Sequence, residues 1–249
     1  MIDFHSHILH KIDDGSDSLE TSKKMLEQAY ASGTDVIVLT PHYYPREEST
    51  LAEFLGRRQR RVNALEEFCI GSEIPQLRIA AEVNLHTDFS RFSKLHELCI
   101  SGTDYMLVEM PMAKWEDWMF ECIYNITVRG IKPIIAHIDR YLGYPRSALA
   151  ALDETRPLYQ VNSEAFLSYG GRKKMLELFY SGKLHVIGSD MHGLVKRKNT
   201  LPEAYVELEN RFGEEYISQV EKNGDLILEN KPVVRRTTFR SVKKSRLLF

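Results

Sequence analysis

Short β-branched or apolar runs alternate with longer amphipathic stretches along almost the whole chain. Runs of four to seven residues, bounded by polar or turn-forming residues, predict strands over 2–7, 35–40, 77–83, 105–109, 132–136, 158–161 and 185–188. The stretches between them have helical spacing. The clearest is 19–31, where Asp17 and Glu20 have capping-box spacing and Gly33 supplies a stop signal. Others run from about 51 to 69, with basic residues on the outer face, and from 115 to 128. Strand, helix, strand repeated along the chain predicts an α/β fold on a parallel sheet, and at this length closure into a barrel is expected over an open sheet. No composition shift interrupts the pattern before about residue 230, so residues 1–229 are expected to form a single domain and 230–249 a basic tail.

Composition narrows the class without changing the fold. The chain has 249 residues, 43% hydrophobic and 27% charged, which is ordinary for a globular protein and long enough for one large core. A formal net charge of −2 gives no general drive toward nucleic acid or an anionic membrane. The N-terminal stretch lacks the blocks of a signal peptide and no apolar run approaches the ~18 residues of a membrane span, so a cytoplasmic location is expected. Cys69, Cys99 and Cys122 are odd in number, without paired spacing, and read as buried thiols. A cysteine phosphatase needs an arginine six positions after its thiolate, and those positions hold Pro75, Tyr105 and Val128.

Candidate chemistry lies in the polar residues that punctuate the strands. "MIDFHSHILH" places His5 and His7 one residue apart in the first strand, hence on one face, where two imidazoles can share an ion. "LTPHYYP" puts His42 just past the second strand, "RIAAEVNL" puts Glu82 at the end of the third, and "YMLVEMP" puts Glu109 at the end of the fourth. "KPIIAHIDR" adds His137 after the fifth, and "HVIGSDMHG" adds Asp190 and His192 after the seventh. Singly, each reads as a satisfied core histidine or a solvated strand-end carboxylate. In a parallel barrel, however, all carboxyl ends of the strands meet at one face, and the recurrence there points to a metal site. His86, His96 and His185 lack this placement and read as ordinary histidines, while His10 is left open.

With Asp14 from "KIDDGSD", the set comprises five histidines and four carboxylates, too many for one ion, and Glu82 is suited to bridge two. Imidazole and carboxylate without cysteine suit Mn²⁺, Zn²⁺ or Fe rather than a structural zinc knot. Three divalent ions against four carboxylates would leave a net positive cluster that attracts a phosphate dianion. Phosphate monoesters are among the slowest bonds to hydrolyse uncatalysed, and clustered metals address this by activating water and clamping oxygens. Arg140, three residues after His137, and Arg197, five after His192, carry planar forks that match phosphate oxygens. The run around Arg197 also reads as solvated basic surface.

Together, "DFHSHILHKIDDGSDS", "LTPHYYP", "AAEVNL", "LVEMP", "IIAHIDRY", "QVNSEAF" and "IGSDMHG" resemble the PHP (polymerase and histidinol phosphatase) metallohydrolases. They are most similar to the bacterial manganese-dependent protein-tyrosine phosphatases of capsule and exopolysaccharide gene clusters, with motifs in order over roughly residues 1–230. The resemblance implies a PHP-type distorted (β/α)7 TIM-like barrel with a trinuclear centre held by His5, His7, Asp14, His42, Glu82, Glu109, His137, Asp190 and His192. Manganese is the implied metal, with Fe, Zn or Mg as alternatives. Candidate catalytic residues are Arg140 and Arg197, for phosphate, with His42 and Asp14. The implied substrate is a phosphotyrosine protein, the tail of a bacterial tyrosine kinase that controls polysaccharide export.

"HIDRY" stands where relatives commonly have Pro-Glu between the histidine and the arginine, and Glu164 stands where they have a small residue. At the site mouth Glu164 would repel acidic peptides. Tyr43, Tyr44, Trp115 and Trp118 are candidates for lining a groove near the mouth, or for packing. A small-molecule PHP phosphatase, such as a histidinol-phosphate phosphatase, is the alternative enzyme. An amidohydrolase-type C–N hydrolase would want a strand-end lysine, which is missing, and a binding module would be expected to lack ligands. After Asn230 come seven basic residues and no acidic ones, read as a solvated end, with contact to an anionic membrane surface or an acidic partner as the alternative.

Overall fold

The structure, a computed structural model, describes residues 1–45, 48–168 and 170–234. Its strands are β1 (Ile2–Ser6), β2 (Val36–Leu39), β3 (His42–Tyr43), β4 (Gln76–Ile79), β5 (Glu82–Asn84), β6 (Tyr105–Glu109), β7 (Lys132–Ile135), β8 (Leu158–Asn162) and β9 (Val186–Gly188). They pair in parallel throughout, in the orders β1-β2-β4 and β3-β5-β6-β7-β8-β9. The result is a curled parallel sheet in a mixed α/β fold.

Two predicted strands differ from the observed ones. The strand predicted over 35–40 is found as β2, and beyond Pro41, which has no N–H to give to the ladder, the chain adds a further short strand, β3, that carries His42, a residue expected just past the strand. The strand predicted over 77–83 breaks at Ala80 and Ala81, where the Ala80 carbonyl accepts from Arg58 Nη1 (2.7 Å). The pieces stay aligned, since β2 pairs with β4 and β3 with β5. At the other end β9 runs into β1: Asp190 N–H donates to the His5 carbonyl (2.7 Å) and His7 N–H to the Met191 carbonyl (2.9 Å).

The helices are α1 (Leu19–Ala31), α2 (Glu48–Phe68), α3 (Asp117–Val128), α4 (Arg146–Glu154), α5 (Glu164–Leu167), α6 (Gly171–Ser181), α7 (Leu201–Phe212) and α8 (Glu214–Leu228). Helix α1 buries Ser22, Met25, Leu26 and Ala29, the spacing of one helical face. Its cap is Ser18 rather than Asp17: Ser18 Oγ accepts from Thr21 N–H, while Asp17 takes the Thr21 hydroxyl (2.8 Å). Helix α3 begins at Asp117, two residues later than predicted, because Trp115 is tied down in the preceding turn, its Nε1–H donating to the Pro111 carbonyl (3.1 Å).

One large apolar cluster joins the strands to the helices, and a smaller one gathers Phe4, Val38, Leu107, Ile134, Leu158 and Val186 with Ile227 of α8. Cys69, Cys99 and Cys122 are free and buried, as expected. Among the described residues no helix is long and apolar enough to cross a membrane. Residues 235–249, most of the basic tail, lie outside the described residues.

Candidate metal centre

The nine residues singled out in the sequence come together at one end of the curled sheet. His5 and His7 stand at the end of β1, His42 in β3, Glu82 at the start of β5, Glu109 at the end of β6, His137 just past β7, and Asp190 and His192 past β9. Burial is graded. His5, His7, Glu82, His137, Asp190 and His192 are buried, His42 and Glu109 half-buried, and Asp14 exposed at the mouth.

Glu82 is the hub. Its Oε2 lies 3.1 Å from His5 Nε2, 3.2 Å from His7 Nε2 and 3.0 Å from His42 Nδ1, while Oε1 lies 2.8 Å from His137 Nε2. Asp190 Oδ1 is 3.6 and 3.5 Å from the Nε2 atoms of His5 and His7. Asp14 Oδ1 is 3.5 Å from His42 Nε2 and 3.4 Å from His192 Nε2. Three overlapping sets of donor atoms, each within 4.8 Å, emerge: His7, Asp14, His42 and His192; His5, His7 and Asp190; His42, Glu82 and Glu109. His137 stands outside these sets, between Glu82 and Glu109.

Three site residues have left-handed backbone: His137 at φ 34°, Asp190 at φ 53° and Arg197 at φ 47°. For residues with a Cβ this costs of order 1 kcal/mol or more each, and it is held by the surroundings. The His137 N–H, for example, donates to Gln160 Oε1 (2.6 Å). Two glycines make room: a Cβ on Gly188 would fall 2.4 Å from His5 Cβ, and one on Gly15 would fall 2.1 Å from the His7 carbonyl oxygen.

Side chains that the sequence reading passed over hold five of the nine: His5, His7, His42, His137 and Asp190. Asp13 Oδ2 accepts from His7 Nδ1 (2.8 Å) and from the His42 N–H (3.0 Å). Gln160 Oε1 accepts from His5 Nδ1 (3.2 Å) as well as from His137, and Gln160 Nε2 donates to Asn162 Oδ1 (3.0 Å). Asn162 Nδ2 in turn donates to Asp190 Oδ2 (2.8 Å). One strand, β8, thus anchors ligand candidates from β1, β7 and β9 through neutral amides. The period of two that puts Gln160 and Asn162 on one face of "YQVN" was the available signal.

These hydrogen bonds fix the imidazole tautomers. With Nδ1–H of His5 committed to an amide oxygen and Nδ1–H of His7 to a carboxylate, both Nε2 atoms present lone pairs, yet they face each other at 3.0 Å. Two lone pairs beside two carboxylates require a positive charge between them. Glu82 Oε2, His42 Nδ1, His137 Nδ1 and His192 Nε2 are buried without a hydrogen-bond partner. The donor set therefore fits a cluster of divalent cations.

Without cations, protons fill the role. Burial lowers the His7 pKa, but the hydrogen bonds to Asp13 and Glu82 outweigh it and push the group up to about 10. Burial alone would raise Glu82, yet the imidazoles of His5, His137 and His42 hold it well below the carboxylate range. His192 moves the other way, down to about 4, through burial and the like charges of His7 and Arg197.

Arg140 and Arg197 both reach Asp190. Arg140 Nη2 donates to Oδ2 and Arg197 Nη2 donates to Oδ1 (2.7 Å), with Arg197 Nη1 3.8 Å from Asp14. Both side chains are partly exposed, at 35% and 40%. Tyr44 is exposed and stacks on His42 at 5.4 Å between centroids, whereas Tyr43 is buried against Phe54. His10 is buried against Arg61 (3.1 Å). His96 contacts the Arg129 carbonyl and His185 accepts from the Tyr159 N–H, so both serve the fold as read. Glu164 opens α5 as an exposed residue.

A parallel sheet curled around such a centre defines a class of metal-site α/β proteins, and the comparisons give the family. The model of the family described as capsular polysaccharide synthesis, CpsB/CapC, matches residues 1–229, and the chain belongs to that family. It is 27% identical over 252 residues to the tyrosine-protein phosphatase YwqE of Bacillus subtilis, covering 95% of this chain and 94% of that protein. It is 30% identical over 243 residues to the tyrosine-protein phosphatase CpsB of Streptococcus agalactiae, covering 92% and 99%. A solved structure from work on YwqE and Streptococcus pneumoniae CpsB, described as metal-dependent tyrosine phosphatases, superposes with a TM-score of 0.81 at 24% identity. It covers 98% of this chain and all of the other, so the two share one fold, a curled parallel sheet in a mixed α/β architecture.

Proposed function

We propose that this chain is a metal-dependent phosphomonoesterase that removes phosphate from tyrosine in a protein substrate. The observation that carries the reading is the pair of Nε2 atoms of His5 and His7, 3.0 Å apart beside Glu82 and Asp190, a constellation that calls for cations. Joining β2 to β3 and β4 to β5 gives seven, so the sheet reads as a distorted (β/α)7 barrel over residues 1–229. His5, His7, Asp14, His42, Glu82, Glu109, His137, Asp190 and His192 would hold three ions, with manganese as the metal. Bound ions supply Lewis acidity, lowering the pKa of water and neutralising phosphate oxygens.

The chain's own groups do the rest. Arg140 and Arg197 offer N–H groups to the phosphoryl oxygens and stabilise the charge that builds during transfer. His42 and Asp14 stand at the solvent edge, where a proton must enter or leave. Tyr44, exposed beside them, gives an aromatic substrate a surface to pack on. No thiol competes as nucleophile: burial pushes Cys99 up to about 12 and raises Cys69 and Cys122 as well. The family's capsule context and its relatives' names support a phosphotyrosine protein as the substrate; in this reading it is the tail of a bacterial tyrosine kinase, met in the cytoplasm with the basic tail of this chain near a membrane.

Initial rates on a phosphotyrosine peptide, a phosphoserine peptide and histidinol phosphate, each with Mn²⁺ and after chelation, test this. Mn²⁺-dependent preference for phosphotyrosine is expected, with His137→Ala inactive but folded. Preference for histidinol phosphate, or full activity in His137→Ala, would overturn it.

A further inference from the structure

Beside the metal centre lies an apolar cleft with about 600 Å³ of open space, lined by Met112, Trp115 and Phe120 on one side and by Tyr144, Ala148 and Ala151 on the other. We propose that it docks the polypeptide flanking the phosphotyrosine, seating an apolar side chain about three residues along the substrate. This rests on the phosphatase reading above and says how a protein substrate is told from a small ester.

Continuity with the catalytic end carries the argument. The two walls are the segments that leave β6 and β7, the strands whose ends carry Glu109 and His137. A row of rings joins centre to cleft: His137 to Tyr141 at 5.7 Å, Tyr141 to Tyr144 at 5.6 Å, and Trp115 against both tyrosines at 5.2 and 4.7 Å. The first two of these steps put Tyr144 within about 11 Å of His137, a span that an extended chain rising about 3.3 Å per residue covers in roughly three residues.

One wall is already in place. Trp115 Nε1 donates to the Pro111 carbonyl (3.1 Å), and Tyr141, buried behind it, donates its Oη–H to the Met110 carbonyl (2.7 Å), so little ordering is left to be done on binding. Lys114 and Asp117 on the rim are opposite in sign, which gives no preference for a charged ligand. Met112 is 64% exposed, an adaptable apolar side chain held in water where a partner would cover it. An apolar, preformed, open-sided trough on the segments that follow β6 and β7 suits a side chain on a passing strand of substrate.

Steady-state kinetics of the Mn²⁺-loaded protein decide it, using an aryl phosphate and phosphotyrosine nonapeptides with Leu, Phe or Ser at each position within four residues of the phosphotyrosine. Wild type should favour peptides with Leu or Phe near the third position on one side. Ala148→Glu and Met112→Glu should each raise KM for those peptides roughly ten-fold with kcat unchanged, since they remove the burial of one large apolar side chain. Hydrolysis of the aryl phosphate should be the same in all three proteins. Indifference to the flanking residues, or variants with wild-type KM, would overturn the docking proposal and leave the phosphatase reading standing. No turnover of either substrate class overturns both. A dimer in wild type that Met112→Glu turns into a monomer would assign the cleft to a second copy of this chain and also overturn it.

Discussion

Replacing Gln160 by Met tests whether β8 sets up the centre. The substitution keeps the volume and removes every polar atom. It strips the acceptor from the His137 N–H and from His5 Nδ1, and the donor from Asn162 Oδ1, all in buried surroundings. A buried group left without its partner costs about 1–3 kcal/mol. The His137 N–H loses its Gln160 acceptor at a residue whose backbone is already left-handed. His5 recovers part of its loss by moving its proton to Nε2, but that removes the lone pair from the side that faces Glu82.

The loss of fold stability is then about 2–4 kcal/mol, within the 5–15 kcal/mol of a typical domain. For a chain of this size Tm should fall by roughly 5–15 °C. Metal affinity should fall 10- to 100-fold, the usual cost of losing a group that orients a ligand. Calorimetric titration of Mn²⁺ into chelated protein measures the second effect, and scanning calorimetry the first. Gln160→Glu separates them: it keeps an oxygen for His5 and His137, so affinity holds, while the buried charge still lowers Tm. Wild-type Mn²⁺ affinity in Gln160→Met would refute the reasoning.

Two further substitutions probe the frame. Gly188→Ala places a methyl 2.4 Å from His5 Cβ and 2.8 Å from Gln160 Nε2, so His5 must shift and bound manganese, read by elemental analysis after gel filtration, should fall below wild type. Overpacking of this kind costs about 1–3 kcal/mol, and full metal occupancy would count against the crowding argument. Arg58→Met takes the guanidinium from the carbonyls of Ala80 and Glu97, each held at 2.7 Å, at the break between β4 and β5. Two orphaned carbonyls predict roughly 2–4 kcal/mol lost in urea unfolding, and an unchanged midpoint would show that water replaces the arginine.

The alternation of apolar runs and helical stretches was enough to place the strands, because each buried strand needs a continuous apolar stretch and the helices between them need one apolar face. The split of β3 from β2 and of β5 from β4 was harder to see. Pro41 announced the first, inside "LTPHYY", but "RIAAEV" reads as one strand, and only Arg58, arriving from a helix some twenty residues earlier, shows why the Ala80 carbonyl leaves the ladder. The Ser18 cap was hidden for a related reason: Asp17 and Ser18 are both good caps, and the choice depends on which side chain reaches the Thr21 N–H.

The centre divides along the line between charge and neutrality. Histidines and carboxylates at strand ends stand out in a sequence because burying them is costly unless something pairs with them, so their recurrence is informative. Gln160 and Asn162 carry no such signal, since a neutral amide in a strand is unremarkable until its partners are known. Asp13 was masked by its neighbour: of the two carboxylates in "KIDDG", Asp14 faces the imidazoles of His42 and His192 while Asp13 turns back to His7 and the His42 backbone. That division has a chemical reason. A cation needs charged or lone-pair donors around it, whereas the side chains that aim those donors are mostly neutral amides, with Asp13 the acid on an imidazole and Asp3 and Asp139 spent on backbone N–H groups of His5, Ser189 and Asn162.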